Sequence, residues 1–138
     1  MLQRLKEHIN ANLSFLEGKK LLIACSGGVD SVVLCNLLKS LNFKFSIAHC
    51  NFLLRGDDSN LDAAFVEELA DKLSVPFFIR SFETENYANS KLISIQMAAR
   101  ELRYEWFDEL CKEQAFDYVL TAHHLDDDLE TFFINLSR

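Results

Sequence analysis

The sequence contains no pair of cysteines at the C-x-x-C spacing, because its four cysteines stand at positions 25, 35, 50 and 111. This spacing argues against a zinc knuckle or a cysteine-ligated iron–sulfur cluster, both of which need closely spaced thiolates. No apolar run approaches the roughly 18 residues that a transmembrane helix requires. The amino-terminal segment also lacks the apolar core of a signal peptide, so we expect a cytoplasmic protein.

Positive charge is also scarce, since 14 Lys and Arg stand against 21 Asp and Glu and give a formal net charge of −7. A surface that binds nucleic acid nonspecifically needs clustered basic side chains to neutralise phosphates. If the protein modifies a nucleic acid, most of that affinity must come from elsewhere. The 49% hydrophobic share is typical of a globular chain, and the length predicts a single domain over residues 1–138.

Apolar residues alternate along the chain between continuous runs and helical spacing. A continuous apolar run at 21–25 predicts a strand that is buried on both faces, and further strands are predicted at 43–49, 76–82 and 117–122. Each strand is followed by a segment with helical spacing, and one more helix precedes the first strand. Strand–helix units repeated in this way predict an α/β fold, a Rossmann-like doubly wound parallel sheet with the strand order 3-2-1-4.

The helix boundaries are predicted from capping residues and apolar spacing. Ser59 marks the start of a helix in which Leu61, Phe65, Leu69 and Leu73 share one face. Residues 83–93 are polar and predicted to be irregular, and a long helix then begins near Ser94 with Ile95, Ala98, Leu102, Trp106 and Leu110 on its buried stripe. A last helix is predicted from Asp126, with Leu129, Phe132, Phe133 and Leu136 on its apolar face. It is still amphipathic at Arg138, so we expect the natural chain to continue beyond this residue.

The segment Ser26-Gly27-Gly28-Val29-Asp30-Ser31 directly follows the first strand and opens a helix. Two glycines allow a tight turn that brings backbone N–H groups close to an anion, and the helix N-terminus adds positive potential. The two serine hydroxyls can reach phosphate oxygens, and Asp30 can hold a divalent cation that bridges them. The segment has neither the lysine of a Walker A motif nor the G-x-G-x-x-G of a dinucleotide site. It therefore predicts a phosphate-binding loop of another kind.

A second polar cluster follows the fourth strand, in the segment His123-His124-Leu125-Asp126-Asp127-Asp128. With the strand order 3-2-1-4, this segment and the glycine-rich loop face each other across the crevice where ligands bind in such sheets. Aspartates are also favoured at any helix N-terminus. The same cluster is also compatible with a metal hydrolase in which His123 and Asp127 bind a metal ion.

Four segments together resemble the tRNA(Ile)-lysidine synthase family of PP-loop ATP pyrophosphatases. They are SGGVDS at 26–31, HCNFLLRG at 49–56, SIQMAARELRY at 94–104 and TAHHLDDDLET at 121–131. The resemblance runs from about residue 20 to the end, with one departure, since many relatives have a histidine where Phe52 stands. It implies an adenine nucleotide alpha hydrolase-like fold, ATP and Mg²⁺ as cofactors, and further tRNA-binding domains that this chain lacks.

The reaction implied by the resemblance has two steps. ATP adenylates C2 of the wobble cytidine in an isoleucine tRNA with a CAU anticodon, and L-lysine then displaces AMP to leave lysidine. The implied partners are therefore this tRNA(Ile), L-lysine and ATP, with a homodimer as a candidate assembly.

Motif matching to the same family also assigns roles to residues. The loop residues Ser26, Gly27, Gly28, Val29, Asp30 and Ser31 would bind ATP, with Asp30 on Mg²⁺. Asp127 would lie beside the reacting base or the incoming lysine, and Arg103 would face developing negative charge, so Asp30, Asp127 and Arg103 are the predicted catalytic residues. The candidate substrate-binding residues are His49, Asn51, Arg55, Arg100, His123 and His124.

Three alternatives remain open at this point. Other PP-loop enzymes thiolate tRNA, although the cytidine-thiolating relatives use paired cysteines, or they form amides in an ATP-dependent reaction. From a different class, the chain could be a noncatalytic nucleotide-binding module of the universal-stress type. Such modules place their glycine-rich phosphate contacts after the fourth strand, whereas the glycines here follow the first.

Overall fold

The structure is a computed structural model that describes Glu7 and residues 16–54, 56–122 and 131–134. Its sheet contains β1 (Leu21–Ala24), β2 (Phe45–Asn51), β3 (Phe77–Ser81), β4 (Tyr118–Ala122) and β5 (Thr131–Ile134). The strand order is β3-β2-β1-β4-β5. The first four strands are parallel and β5 pairs antiparallel with β4. The predicted parallel order 3-2-1-4 is therefore confirmed.

The helices that connect the parallel strands are α1 (Val29–Ser40), α2 (Asp57–Leu73), α3 (Thr84–Lys91) and α4 (Ile95–Gln114). Alternate residues of the central strand β1 enter two different hydrophobic cores. Leu21 and Ile23 pack with residues of α1 and α2, whereas Leu22 packs with residues of α4. Because both faces of the sheet are covered, the central strand is apolar at every position, which explains its continuous apolar run.

The long helix α4 begins where the sequence predicts. Its N-cap is Ser94, whose Oγ accepts a hydrogen bond from the Met97 N–H, and this satisfies one of the unpaired donors of the first turn. Ala98, Trp106 and Leu110 are buried as expected, while Ile95 is exposed. Among the described residues, no helix is both long and apolar enough to cross a lipid bilayer.

Two secondary-structure predictions are wrong. Residues 83–93 contain the helix α3 rather than an irregular segment. This helix has almost no amphipathic pattern and is held by Thr84, whose buried Oγ1 donates to the Phe52 carbonyl oxygen at 2.8 Å. The helix predicted from Asp126 is replaced at residues 131–134 by β5. The TFFI sequence there is β-branched or aromatic throughout, and it extends the sheet along β4.

The apolar face predicted for α2 is only partly correct. Leu69 is buried, but Leu61 and Phe65 are 66% and 48% exposed, and the buried stripe instead includes Val66 and Ala70. The helix predicted before β1 lies outside the described residues, apart from Glu7, which is helical, and Leu16, which is fully buried.

Candidate active site

The glycine-rich loop begins where β1 leaves the sheet. Directly after β1, the Cys25 N–H donates to the Ala48 carbonyl oxygen of β2 at 2.9 Å. The chain then turns at Gly27, whose φ of +93° is rarely adopted by residues with a side chain. Gly28 follows in an extended conformation as the N-cap of α1. The loop therefore brings its backbone to the positive end of a helix.

Both serines of this loop form hydrogen bonds within it. The Ser31 hydroxyl is buried and donates to the Gly28 carbonyl oxygen at 3.1 Å, and it lies 3.4 Å from the Ser26 hydroxyl. The Ser26 Oγ accepts from the Gly28 N–H at 3.3 Å. Asp30 occupies the first turn of α1 and is partly exposed. These side-chain hydrogen bonds thus hold the turn before α1, and Asp30 adds a carboxylate next to it.

A cleft of about 290 Å³ opens beside this loop at the carboxyl ends of the parallel strands. The register pairs Ala24 of β1 with Thr121 of β4, and both residues line the cleft. The full lining consists of Ala24, Cys25, Ser26, Ser31, Ala48, Cys50, Phe52, Arg103, Phe107 and Thr121. The loop and the end of β4 therefore meet at one cleft, as the predicted strand order requires.

The two arginines of α4 that the sequence singles out lie in different surroundings. Arg103 lines the cleft, with its guanidinium carbon 5.5 Å from the centre of the Phe52 ring. Arg100 is exposed and lies over the Tyr104 ring at 5.2 Å instead. Of the two, only Arg103 is among the residues that line the cleft.

His49 and Asn51, predicted as substrate contacts, are both only 4% exposed. His49 Nδ1 lies 2.8 Å from the Cys25 carbonyl oxygen. Asn51 accepts a hydrogen bond from the Leu53 N–H and donates one to the Asn60 side chain, each at 3.1 Å. Both residues border a second, smaller cleft of about 170 Å³ on the other side of Ser26.

The residues of β2 separate onto two faces because side chains alternate along a strand. His49 and Asn51 therefore face α2 and line the smaller cleft, whereas Cys50 and Phe52, which follows the strand, line the larger cleft and also border the smaller one. The sequence patterns did not identify Cys50, Phe52 and Phe107 as cleft residues. The alternation within HCNF could have indicated Cys50, but Phe107 reaches the cleft only through the packing of α4.

Two cysteines near the cleft have perturbed acidities. Burial raises the pKa of Cys50 to about 12, although the nearby Arg103 opposes this shift. The pKa of Cys25 is lowered, first by a hydrogen bond with the Cys35 thiol and then by bonds with Ser31 and the Gly27 backbone, against the effect of burial. The same contact raises the pKa of Cys35, because the two thiols cannot both ionise at close range.

Several predicted site residues lie outside the described part of the chain, namely Arg55, His123, His124 and Asp127. Their roles remain predictions. Within the described residues, no three His, Cys, Asp or Glu side chains stand close enough together to hold a metal ion.

Comparison with protein-family models matches residues 1–138 to a family described as the PP-loop domain. The chain is 52% identical over 136 residues to a tRNA(Ile)-lysidine synthase of Porphyromonas gingivalis, covering 98% of this chain and 30% of that protein. It is 46% identical to the tRNA(Ile)-lysidine synthase of Bacteroides thetaiotaomicron, covering 99% of this chain and 32% of that protein. The chain thus spans about a third of the length of these curated relatives.

Solved structures with the same fold include an NMN synthetase from Francisella tularensis, with a TM-score of 0.61 and 16% identity. This match covers 87% of the present chain and 51% of the synthetase. An NH3-dependent NAD synthetase from Campylobacter jejuni gives a TM-score of 0.56, also at 16% identity, and the match covers 87% and 53% of the two chains. At this level of identity the likeness shows a shared fold.

Proposed function

The chain belongs to the PP-loop domain family, and on this premise we propose that it is the ATP-binding catalytic domain of a tRNA(Ile)-lysidine synthase. The reaction would adenylate C2 of the wobble cytidine in a CAU-anticodon isoleucine tRNA and then replace AMP with lysine. The observation that carries the proposal is the similarity along almost the whole chain to proteins of that name. The geometry of the loop and the larger cleft supports it.

The glycine-rich loop suits the phosphates of ATP. The turn at Gly27 and the N-cap at Gly28 place the loop at the N-terminus of α1, which is a favourable place for anions. A Cβ on Gly27 would lie 3.4 Å from the Val66 side chain, so α2 closes the space behind the loop. Phosphates would therefore approach from the side of the larger cleft.

The residues present also fit Mg²⁺, which is usually bound through one or two carboxylates together with substrate phosphates. Asp30 supplies a carboxylate at the first turn of α1, beside the same loop. Mg²⁺ would neutralise phosphate charge there, and Asp30 would hold it.

The larger cleft suits the nucleoside and the reacting phosphorus. Ala48, Phe52 and Phe107 give it apolar walls, and its volume is near the lower end of the roughly 300–1,000 Å³ seen for ligand pockets. The cytidine oxygen at C2 would attack the α-phosphorus, which breaks the bond to the β-phosphate and releases pyrophosphate. Among the described residues that line this cleft, Arg103 is the cation that could stabilise the negative charge that develops on the phosphoryl oxygens.

In the second step the lysine amine would attack C2, and AMP would leave with the oxygen that had been on that carbon. The amine loses a proton in this step, and Asp127 is the residue proposed to lie beside it. Pyrophosphate departs in the first step and AMP in the second, so the loop must release phosphates twice in each cycle.

The net negative charge of the chain is consistent with a domain that needs other parts of the protein to bind tRNA. The curated relatives are about three times longer than this chain, and we propose that the remaining length of such a protein supplies most tRNA contacts. Residues 1–138 would then form one catalytic domain of a cytoplasmic enzyme. A homodimer is part of the same proposal.

Labelled lysine tests this proposal with the whole protein, ATP, Mg²⁺ and an isoleucine tRNA transcript with a CAU anticodon. We expect lysine to be incorporated into this tRNA and not into one with a GAU anticodon. Asp30→Ala should abolish incorporation. Asp57→Ala is the matched control, because Asp57 occupies the first turn of α2 as Asp30 does that of α1. Cleavage of ATP to AMP and pyrophosphate without lysine incorporation would instead assign the domain to a thiolating or amidating enzyme.

A further inference from the structure

His49 forms a buried contact that the proposed chemistry does not use. We infer that His49 is a positioning residue that holds the glycine-rich loop in its phosphate-binding conformation by donating to the Cys25 carbonyl oxygen. The inference rests on the phosphate-binding part of the proposed function and is independent of the tRNA substrate.

The contact lies at the point where β1 becomes the loop. The Cys25 N–H donates to the Ala48 carbonyl oxygen at 2.9 Å, and the Cys25 carbonyl oxygen lies 2.8 Å from His49 Nδ1. Both backbone groups of the residue that directly precedes Ser26 are therefore held by neighbouring residues of β2. His49 fixes the last carbonyl before the chain turns, and the φ of +93° at Gly27 follows two residues later.

The chemistry of the two atoms decides which is the donor. A carbonyl oxygen only accepts hydrogen bonds, so Nδ1 must carry the hydrogen. The His49 side chain is almost completely buried, which means that water does not readily replace this bond when it is lost. A buried carbonyl left without a donor is costly, and the loop would relieve that cost by moving the Cys25 peptide toward solvent.

Such a movement would change the loop that the phosphates meet. A binding site that is already ordered does not have to be ordered by its ligand, which favours affinity. Loss of the His49 bond should therefore weaken the binding of ATP and pyrophosphate. The binding of lysine should not change, because the predicted lysine contact belongs to the segment after β4.

Two substitutions of His49 distinguish the roles of its two ring nitrogens. The amide nitrogen of asparagine takes the place of Nδ1 and can donate to the Cys25 carbonyl oxygen, whereas that of glutamine takes the place of Nε2. Calorimetry on the whole protein with inorganic pyrophosphate and with a nonhydrolysable ATP analogue is the measurement. We expect His49→Asn to bind both within about twofold of the wild type, and His49→Gln to bind both about tenfold more weakly.

Thr84→Val is the matched control, because Thr84 also donates from a buried side chain to a backbone carbonyl at 2.8 Å, that of Phe52 outside the loop. It should lower the melting temperature without weakening pyrophosphate binding.

Equal weakening of pyrophosphate binding in Thr84→Val and His49→Gln would show that the effect comes from general destabilisation, and it would overturn the inference. Retained affinity in His49→Gln with loss in His49→Asn would overturn it in favour of a ligand contact through Nε2. If His49→Gln does not fold, the affinity of His49→Asn for pyrophosphate tests the inference. An affinity equal to that of the wild type supports it, and a tenfold loss contradicts it. Failure of lysine incorporation into tRNA would leave these binding results unaffected.

Discussion

Replacing Gly27 by alanine should destabilise the glycine-rich loop through backbone conformation rather than through lack of space. The φ of +93° lies in a region that side chains disfavour, and such a residue costs about 1–3 kcal/mol. The added Cβ would lie 3.4 Å from Val66 Cγ2 and 3.9 Å from the Phe65 ring, which is ordinary van der Waals contact. Nearly all of the cost therefore comes from φ.

Two measurements follow from this cost. If the loop keeps its conformation, the melting temperature should fall by about 4–12 °C, since 1 kcal/mol corresponds to about 4 °C for a domain of this size. If the loop instead relaxes to a negative φ, the melting temperature should change little. The dissociation constant for ATP should then rise about 5- to 150-fold, because ATP has to restore the strained turn.

Gly28→Ala is the control that isolates the backbone effect. Gly28 has an ordinary φ of −76°, and a Cβ there would meet only the Ser26 hydroxyl at 3.5 Å. Its melting temperature should stay close to that of the wild type. Equal melting temperatures and equal ATP affinities for Gly27→Ala and the wild type would refute the reasoning. A loss of stability in Gly28→Ala as large as that in Gly27→Ala would also refute it.

Two further predictions concern the larger cleft. Arg103→Ala should slow pyrophosphate release in the adenylation step by about 100-fold. Arg100→Ala should slow it much less, because Arg100 lies over Tyr104 outside the cleft. Similar losses in the two variants would contradict the role of Arg103 in adenylation. Burial raises the pKa of Cys50 to about 12, so its alkylation by iodoacetamide should quicken about tenfold per pH unit from pH 8 to 10, as the thiolate fraction does. Saturating ATP should block this reaction, and a rate that is independent of pH or of ATP would count against a buried thiol in the nucleotide cleft.

Local sequence patterns were sufficient to predict the framework of this protein. The apolar run at 21–25 indicated a strand covered on both faces, and two adjacent glycines before a helix indicated an anion-binding turn. These features depend on residues close together in the chain, so the sequence displays them directly. The strand order followed from general rules for parallel sheets, and the pairing of β1 with both β2 and β4 confirms it.

The predictions that failed, or that the sequence could not make, depend on contacts between distant residues. Residues 84–91 form a helix, although nothing in their polar pattern required one. Thr131–Ile134 belongs to a segment with helical spacing but consists of strand-forming residues. In the structure it is a strand that pairs with β4. Local spacing could not decide between these outcomes because neighbouring elements contribute to the free energy of each.

The residues of the candidate site also fall into those that the sequence predicted and those that only the tertiary structure identified. The sequence by itself determined the position of the glycine-rich turn between β1 and α1, because the two adjacent glycines are visible in the chain, and the φ of +93° at Gly27 agrees with the presence of a glycine there. Only the tertiary structure decided that Cys50 and Phe52 line the larger cleft while His49 lies behind the loop. Alternation along β2 separates these side chains, but which face meets α2 and which meets the cleft depends on helices packed from elsewhere in the chain.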